Sequence, residues 1–259
     1  MALLELTGIT VRFGAVTALD GVSFAVDAGT VSALVGRNGA GKSTLLDVVT
    51  GLRAPAAGTV RFDGRDVTGD PPSRRALAGM ARTFEQPRVF GSLTVRDNVL
   101  AGDELRGGLR GLLPASLTRH GVLRGGFLRA GLPRGGAPHR RENHGREQHE
   151  RVDELLQRLG IDRYAAQLAG AVPAEVARLV EVARALAARP RLLVLDEPSA
   201  GLDEEQAGSL AALLRELAEQ GAAVLLAEPG PGPVTSTCDT VHPIELGRLA
   251  VAETAEVSS

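Results

Sequence analysis

The sequence predicts an α/β fold built on a parallel β-sheet, and three observations carry that expectation. Apolar runs at 31–35, 192–195 and 223–227 have the length of buried strands, and helical patterns alternate with them. The glycine-rich turn GRNGAGKST follows the first run and opens a helix. The second run, in LLVLDEP, ends on two acids at the strand end where open α/β sheets place ligands.

Taken in order, the first thirty residues alternate apolar and polar side chains. LELTGITVRF and VSFAVDAGTVSALVG have the period of two that marks strands, here expected to pair antiparallel, with a break at Asp27-Ala28-Gly29. The helix KSTLLDVVTGL is stopped by Gly51 and Pro55. A short strand is expected at 59–62, then short helices and a loop around RTFEQPRVF across 74–100. Helical periodicity returns near Glu147 in EQHERVDELLQRLGI and closes at Gly160, and a second helix covers about 174–188. The helix at 204–220 has Asp203 as N-cap and Gln206 three residues on, a capping-box pattern. One more strand is expected ahead of His242. No internal repeat is visible.

A chain of 259 residues can bury one large core or two small ones, and 44 % apolar content fits a soluble globular protein. A net charge of −2 gives the chain no nucleic-acid bias. The single cysteine, Cys238, favours a reducing, cytosolic setting. The start MALLELTGITVRFG reads as a strand and not as a signal peptide. No apolar run approaches the roughly 18 residues of a membrane span, so a membrane role is expected only through a partner. Of the 29 basic residues one alone is lysine, Lys42. A compact point charge on a thin stem is what that position keeps.

Residues 105–141 stand apart, with eight arginines and no acid among Gly, Leu and Pro. A solvated insert is the favoured reading. Docking to acidic lipid or a membrane partner is the second. Nucleic-acid binding is the weakest, because only Phe127 offers a ring to stack on a base.

GRNGAGKST fits G-x-x-x-x-G-K-S/T in the required context, after a strand and before a helix. Such a loop holds the phosphates of ATP. Gly36, Gly39 and Gly41 permit backbone angles and close approach, and Asn38 and Ala40 complete the run of inward N–H groups. The helix N-terminus adds positive potential. Lys42 reaches the outer phosphates, Ser43 offers its hydroxyl to Mg²⁺, and Thr44 bonds a phosphate oxygen. After the second strand, Asp196 is expected to hold Mg²⁺ through water, and Glu197 to polarise the attacking water as the catalytic residue.

With these residues in place, the chain resembles the ATP-binding subunits of ABC transporters over nearly its whole length. The resemblance rests on GRNGAGKST, ARTFEQPRVFGSLTVRDN, ARALAARPRLLVLDEPSAGLD and their spacing. The string ARTF…LTVRDN, with an insert after it, is most similar to the branched-chain amino-acid importer subgroup. The family fold implies a P-loop NTPase core at 1–84 and 189–259, an N-terminal antiparallel β subdomain, and an inserted helical subdomain at about 85–188. It also implies a head-to-tail dimer with a second ATP-binding subunit, integral membrane transporter subunits, and a cytoplasmic, peripheral location on the inner face of the cell membrane. Phe13 matches the aromatic placed against adenine, although a strand aromatic in the core explains it equally well. Residues 199–203, SAGLD, match the loop that crosses between subunits.

Three positions depart from the family. The LSGGQ-like turn that greets the partner's γ-phosphate falls on Val172-Pro173-Ala174-Glu175-Val176. Pro173 removes an N–H, no glycine remains, and Glu175 repels a phosphate. The same letters start a helix well, because proline and an early acid suit any helix N-terminus. The family glutamine is Glu85, whose carboxylate could still ligate Mg²⁺, and Gln86 could take that role instead. The switch histidine is Pro229, and the run 229–233 reads as a stiff loop. Two functions stand from the sequence: a working transport ATPase, or an ATP-binding clamp with little hydrolysis of its own.

Overall fold

The computed structural model describes residues 2–106 and 138–250. Most of the arginine-rich stretch 105–141 therefore lies outside the described residues. The chain begins with β1 (Ala2–Phe13) and β2 (Val16–Asp27), an antiparallel hairpin. Then come β3 (Val31–Val35), α1 (Lys42–Val49), β4 (Ala57–Phe62), β5 (Arg65–Asp66), α2 (Pro72–Leu77) and β6 (Met80–Arg82). Three longer helices follow, α3 (Val95–Arg106), α4 (Pro138–Arg158) and α5 (Ala174–Ala187). The remainder is β7 (Leu192–Asp196), α6 (Glu204–Glu219), β8 (Ala223–Glu228), β9 (Thr240–Glu245) and β10 (Arg248–Leu249).

Two sheets result. The first has four strands, β2-β1-β4-β5, all antiparallel. The second has six, β10-β9-β3-β8-β7-β6, parallel throughout except for β10 at its edge. Parallel strands need covering on both faces, and the continuous apolar runs of β7 and β8 supply it. Alternate residues divide between two cores. Leu193, Leu195, Val224 and Leu226 pack with the helices, including Leu179, Val182 and Leu210. Leu192, Val194, Leu225 and Ala227 pack with α1 and the antiparallel sheet, including Leu4, Ile9 and Leu46. Among the described residues no helix is long and apolar enough to cross a membrane.

Most of the expected elements form, and the differences have causes. The predicted strand at 59–62 starts two residues sooner, at Ala57. β7 and β8 each run one residue further, so Asp196 and Glu228 sit inside strand ends. β6 was not expected, since three residues are too few for a period to register; it exists because β7 offers it a parallel partner. α4 begins at Pro138, well ahead of Glu147, because its first residues carry no apolar periodicity to mark them. The capping box forms: Gln206 N–H donates to Asp203 Oδ1 at 2.8 Å, and Asp203 N–H donates to Gln206 Oε1 at 3.2 Å. His242 is a correction to the reading that put it after a strand, because it lies within β9. Pro243 within β9 has no N–H to give the ladder, but its carbonyl is intact and accepts from Ala250 N–H at 2.9 Å.

α1 presents its N-terminus to the glycine loop, and its other end is held by one buried cation. Arg75, 1 % exposed, donates from Nη1 to the Val48 and Val49 carbonyls, each at 2.7 Å. It also donates to the Asp70 and Thr68 carbonyls at 3.1 and 3.0 Å. A guanidinium at a helix C-terminus satisfies orphan carbonyls and opposes the negative end of the dipole. Arg75→Leu leaves these four carbonyls without it, so chemical denaturation is expected to show a loss of at least about 3 kcal/mol.

Candidate functional site

Residues 36–41 form the loop between β3 and α1, residues 42–44 begin α1, and each glycine the argument needs has a local cause. A Cβ at Gly36 would stand 2.2 Å from the Ile244 carbonyl oxygen, so β9 leaves room for nothing larger. Gly41 is the α1 N-cap with φ +104°, and a Cβ there would meet the Ala18 carbonyl oxygen at 2.8 Å. No side chain caps α1, and its first turn holds no acid. Its N-terminal N–H groups and positive potential are thus left for an anion. Asn38 and Gly39 are exposed, and Ala40 is buried beneath them.

Lys42 is 4 % exposed and folds back over this loop. Its ammonium donates to the Gly36 carbonyl at 2.6 Å and the Arg37 carbonyl at 3.3 Å. Glu197 Oε1 lies 3.7 Å from the same nitrogen. The Ser43 hydroxyl donates to Asp196 Oδ1 at 3.1 Å, and Thr44 is half-buried in the next position. The fold has therefore brought together two segments about 150 residues apart, at the strand ends where open α/β sheets place ligands.

Asp196 is almost fully buried, and Arg82 Nη2 lies 3.4 Å from its Oδ2. Burial pushes the Asp196 carboxyl above the usual carboxylate range; Arg82 and the Ser43 hydroxyl pull it back, and the charges of Glu85 and Glu197 push it up again. Arg82 is itself fixed by Asp47 at 2.6 Å and Thr50 at 2.9 Å. A hydroxyl and a buried carboxylate are hard oxygen donors and fit Mg²⁺. Among the described residues no three His, Cys, Asp or Glu side chains are close enough to cage a metal alone. Ser43 and Asp196 would hold the ion with phosphate oxygens and water completing its shell.

Phe13 is 44 % exposed, which removes the reading of it as a core aromatic. Its ring lies under the Arg53 guanidinium at 4.2 Å, at the end of the hairpin whose Ala18 abuts Gly41. Glu85 and Gln86 are both exposed in the loop after β6. Pro173 stands at the N-cap of α5, one position before the first turn, and Glu175 is in that turn. Pro229 is exposed just beyond β8. His242 instead packs its ring against Phe24 with centroids 4.7 Å apart, half-buried on the side of the antiparallel sheet. Its Nε2 has no hydrogen-bond partner among the described residues, and burial holds its pKa below the ordinary value. Burial also pushes the Cys238 thiol up to about 11, which leaves it a poor nucleophile.

Sequence reasoning missed four charged residues here. Glu228 Oε1 accepts from Ser199 N–H at 3.1 Å, and burial pushes its carboxyl up. Arg82, Arg178 and Glu181 also reach the loops of the site. Only Glu228 carried a visible signal, as an acid ending an apolar strand in the way Asp196 does.

Comparison with known proteins gives a family match, relatives and a shared fold. The family model described as ABC transporter matches residues 19–200. The high-affinity branched-chain amino acid transport ATP-binding protein BraF of Pseudomonas aeruginosa is 34 % identical over 246 residues, covering 95 % of this chain and 89 % of that one. The ribose import ATP-binding protein RbsA 2 of Burkholderia pseudomallei is 35 % identical over 226 residues, and the match spans only 38 % of its length. Among solved structures, the ADP conformation of the ATP-binding cassette MJ1267 has a TM-score of 0.73 at 29 % identity, covering 97 % of this chain and 90 % of that one.

Two outcomes are expected. Lys42→Arg puts a broad fork where a buried thin stem fits, so ATP affinity measured by calorimetry should fall about tenfold or more. Protonating His242 opposes its burial. Stability is full above the unfolded pKa near 6.5 and falls as pH drops below it. Urea midpoints should decline from about pH 7 to about pH 5, and less steeply in His242→Phe.

Proposed function

Because the chain belongs to the ABC transporter family, we propose that it is the ATP-binding subunit of an importer for amino acids or similar small polar solutes. The observation that carries this reading is the pair of contacts Ser43–Asp196 and Lys42–Glu197, which assemble one phosphate-and-metal site. Near full-length likeness to BraF supports the solute class. In this reading the N–H groups of 36–44 and Lys42 hold the phosphates, and Phe13 meets the adenine. Ser43 and Asp196 hold Mg²⁺, Glu85 is the further carboxylate that could join them, and Glu197 turns a water towards the γ-phosphate. The bound ion supplies charge neutralisation on the phosphate oxygens.

The subunit pairs head to tail with a second ATP-binding subunit and sits at the inner face of the cell membrane against integral membrane subunits. The helical segments between β6 and β7 are the inserted subdomain of this arrangement. Nucleic acid is not a partner.

A second reading has its own observation. The α5 N-terminus, with Pro173 as cap and Glu175 in its first turn, offers a partner's γ-phosphate an acid and one N–H fewer. Pro229 supplies no side-chain donor at the histidine position. On this reading the chain clamps ATP and hydrolyses it slowly. Losing one positioned electrostatic group costs about 2.7–4 kcal/mol in a transition state, whereas binding rests on the loop, Lys42 and the ion.

Single turnover with Mg-ATP separates the two. The clamp gives tight binding with phosphate release slower by about a hundredfold or more than in a subunit with all groups in place. Rapid release abolished by Glu197→Gln supports the working ATPase. No binding at all overturns both.

A further inference from the structure

α5 opens with a turn unsuited to a partner's phosphate, yet its next two turns address the chain's own site. Residues 178, 181 and 184 are spaced by three and share a helix face. From that face, Arg178 Nη1 donates to the Glu85 carbonyl at 2.9 Å and to the Glu197 carbonyl at 3.2 Å. Glu181, 1 % exposed, accepts from Phe84 N–H through Oε2 and from Arg88 N–H through Oε1, each at 3.2 Å. Arg184 donates to the Arg88 carbonyl. One helix thus holds the loop that carries Glu85 at residues 84, 85 and 88.

The contact to Glu197 is the informative one. Glu197 has φ +47°, in the left-handed region that a side chain occupies at a cost. Its N–H is tied to the Ala227 carbonyl at 2.9 Å, and its own carbonyl is tied to Arg178. Clamping both sides fixes the direction in which the carboxylate leaves the backbone, and that direction is towards Lys42. A role confined to holding α5 in place explains this poorly. Arg178 sends its donors to two functional loops, and its buried Nε has no hydrogen-bond partner among the described residues.

We infer that Arg178 is a positioning residue for the chain's own nucleotide site, joining the Glu85 loop to the backbone of Glu197 so that the two respond together to Mg-ATP. The inference rests on reading 36–44, Asp196 and Glu197 as a magnesium–ATP site. It gives α5 a task in cis, independent of whether its first turn meets a partner's phosphate.

Two measurements on the full chain test it. Hydrogen exchange without nucleotide compares the parent with Arg178→Met. Exchange at the Phe84, Glu85 and Glu197 amides should quicken about tenfold, with amides in the middle of β8 unchanged. Unaltered rates at those three amides overturn the inference. ATP affinity is then measured with and without Mg²⁺. Arg178→Met should lower the gain from Mg²⁺ about tenfold while metal-free affinity stays within about twofold, and Arg178→Lys should restore part of the gain. Equal losses with and without the ion indicate a general structural role and also overturn it. A parent chain that binds no Mg-ATP defeats the site reading instead, and the exchange arm still decides whether Arg178 ties the loops. Should Arg178→Met fail to fold, Arg178→Lys serves in both arms, because it keeps the charge and loses the fork.

Discussion

The hydrogen bond from Ser43 to Asp196 depends on register. β8 lies between β3 and β7, and in it Glu228 stands beside Val35 while Ala227 stands beside Asp196. The loops that leave β3 and β7 both begin with a backbone bond to this strand: Gly36 N–H to the Glu228 carbonyl at 3.2 Å, and Glu197 N–H to the Ala227 carbonyl at 2.9 Å. A slip of one residue in either pairing would move an acid or the glycine loop along the strand and turn alternate side chains to the wrong core. The site is accurate because β8 measures it out.

The glycine loop is also supported from behind. Gly247 N–H donates to the Ala40 carbonyl at 3.0 Å, and Asp20 N–H donates to the Gly247 carbonyl at 2.9 Å. The antiparallel sheet and the β9–β10 turn therefore brace the loop from outside the parallel sheet. Arg75 fixes the far end of α1. A phosphate loop works by presenting N–H groups at set positions, and bracing of this kind lowers the reorganisation that binding demands.

The electrostatics of the two helix starts are opposite. α1 begins with Gly41, uncapped and without an acid, so its positive end remains available. α5 begins with Pro173 and Glu175, so its positive end is partly neutralised within the chain. Both starts are sound for a helix, but only the first suits an incoming phosphate. The contrast leaves the α1 start as the one open to an anion, and the face of α5 that carries Arg178 and Glu181 holds the Glu85 loop and the Glu197 carbonyl.

Features that a few neighbouring residues decide could be read from the sequence. They include the glycine loop, the acids ending β7, the capping box of α6 and the apolar runs of the parallel strands, each set by backbone geometry or periodicity over a short span. Tertiary structure decided the rest. β6 has too few residues to carry a pattern and forms because β7 is beside it. The strand pattern does not say whether Phe13 lies in the core, and its exposure takes it out of it. Arg178 and Glu181 bond residues 93 to 97 positions away. A buried guanidinium or carboxylate takes whichever carbonyl or N–H the packing brings within reach, and the order of residues along the chain does not record that choice.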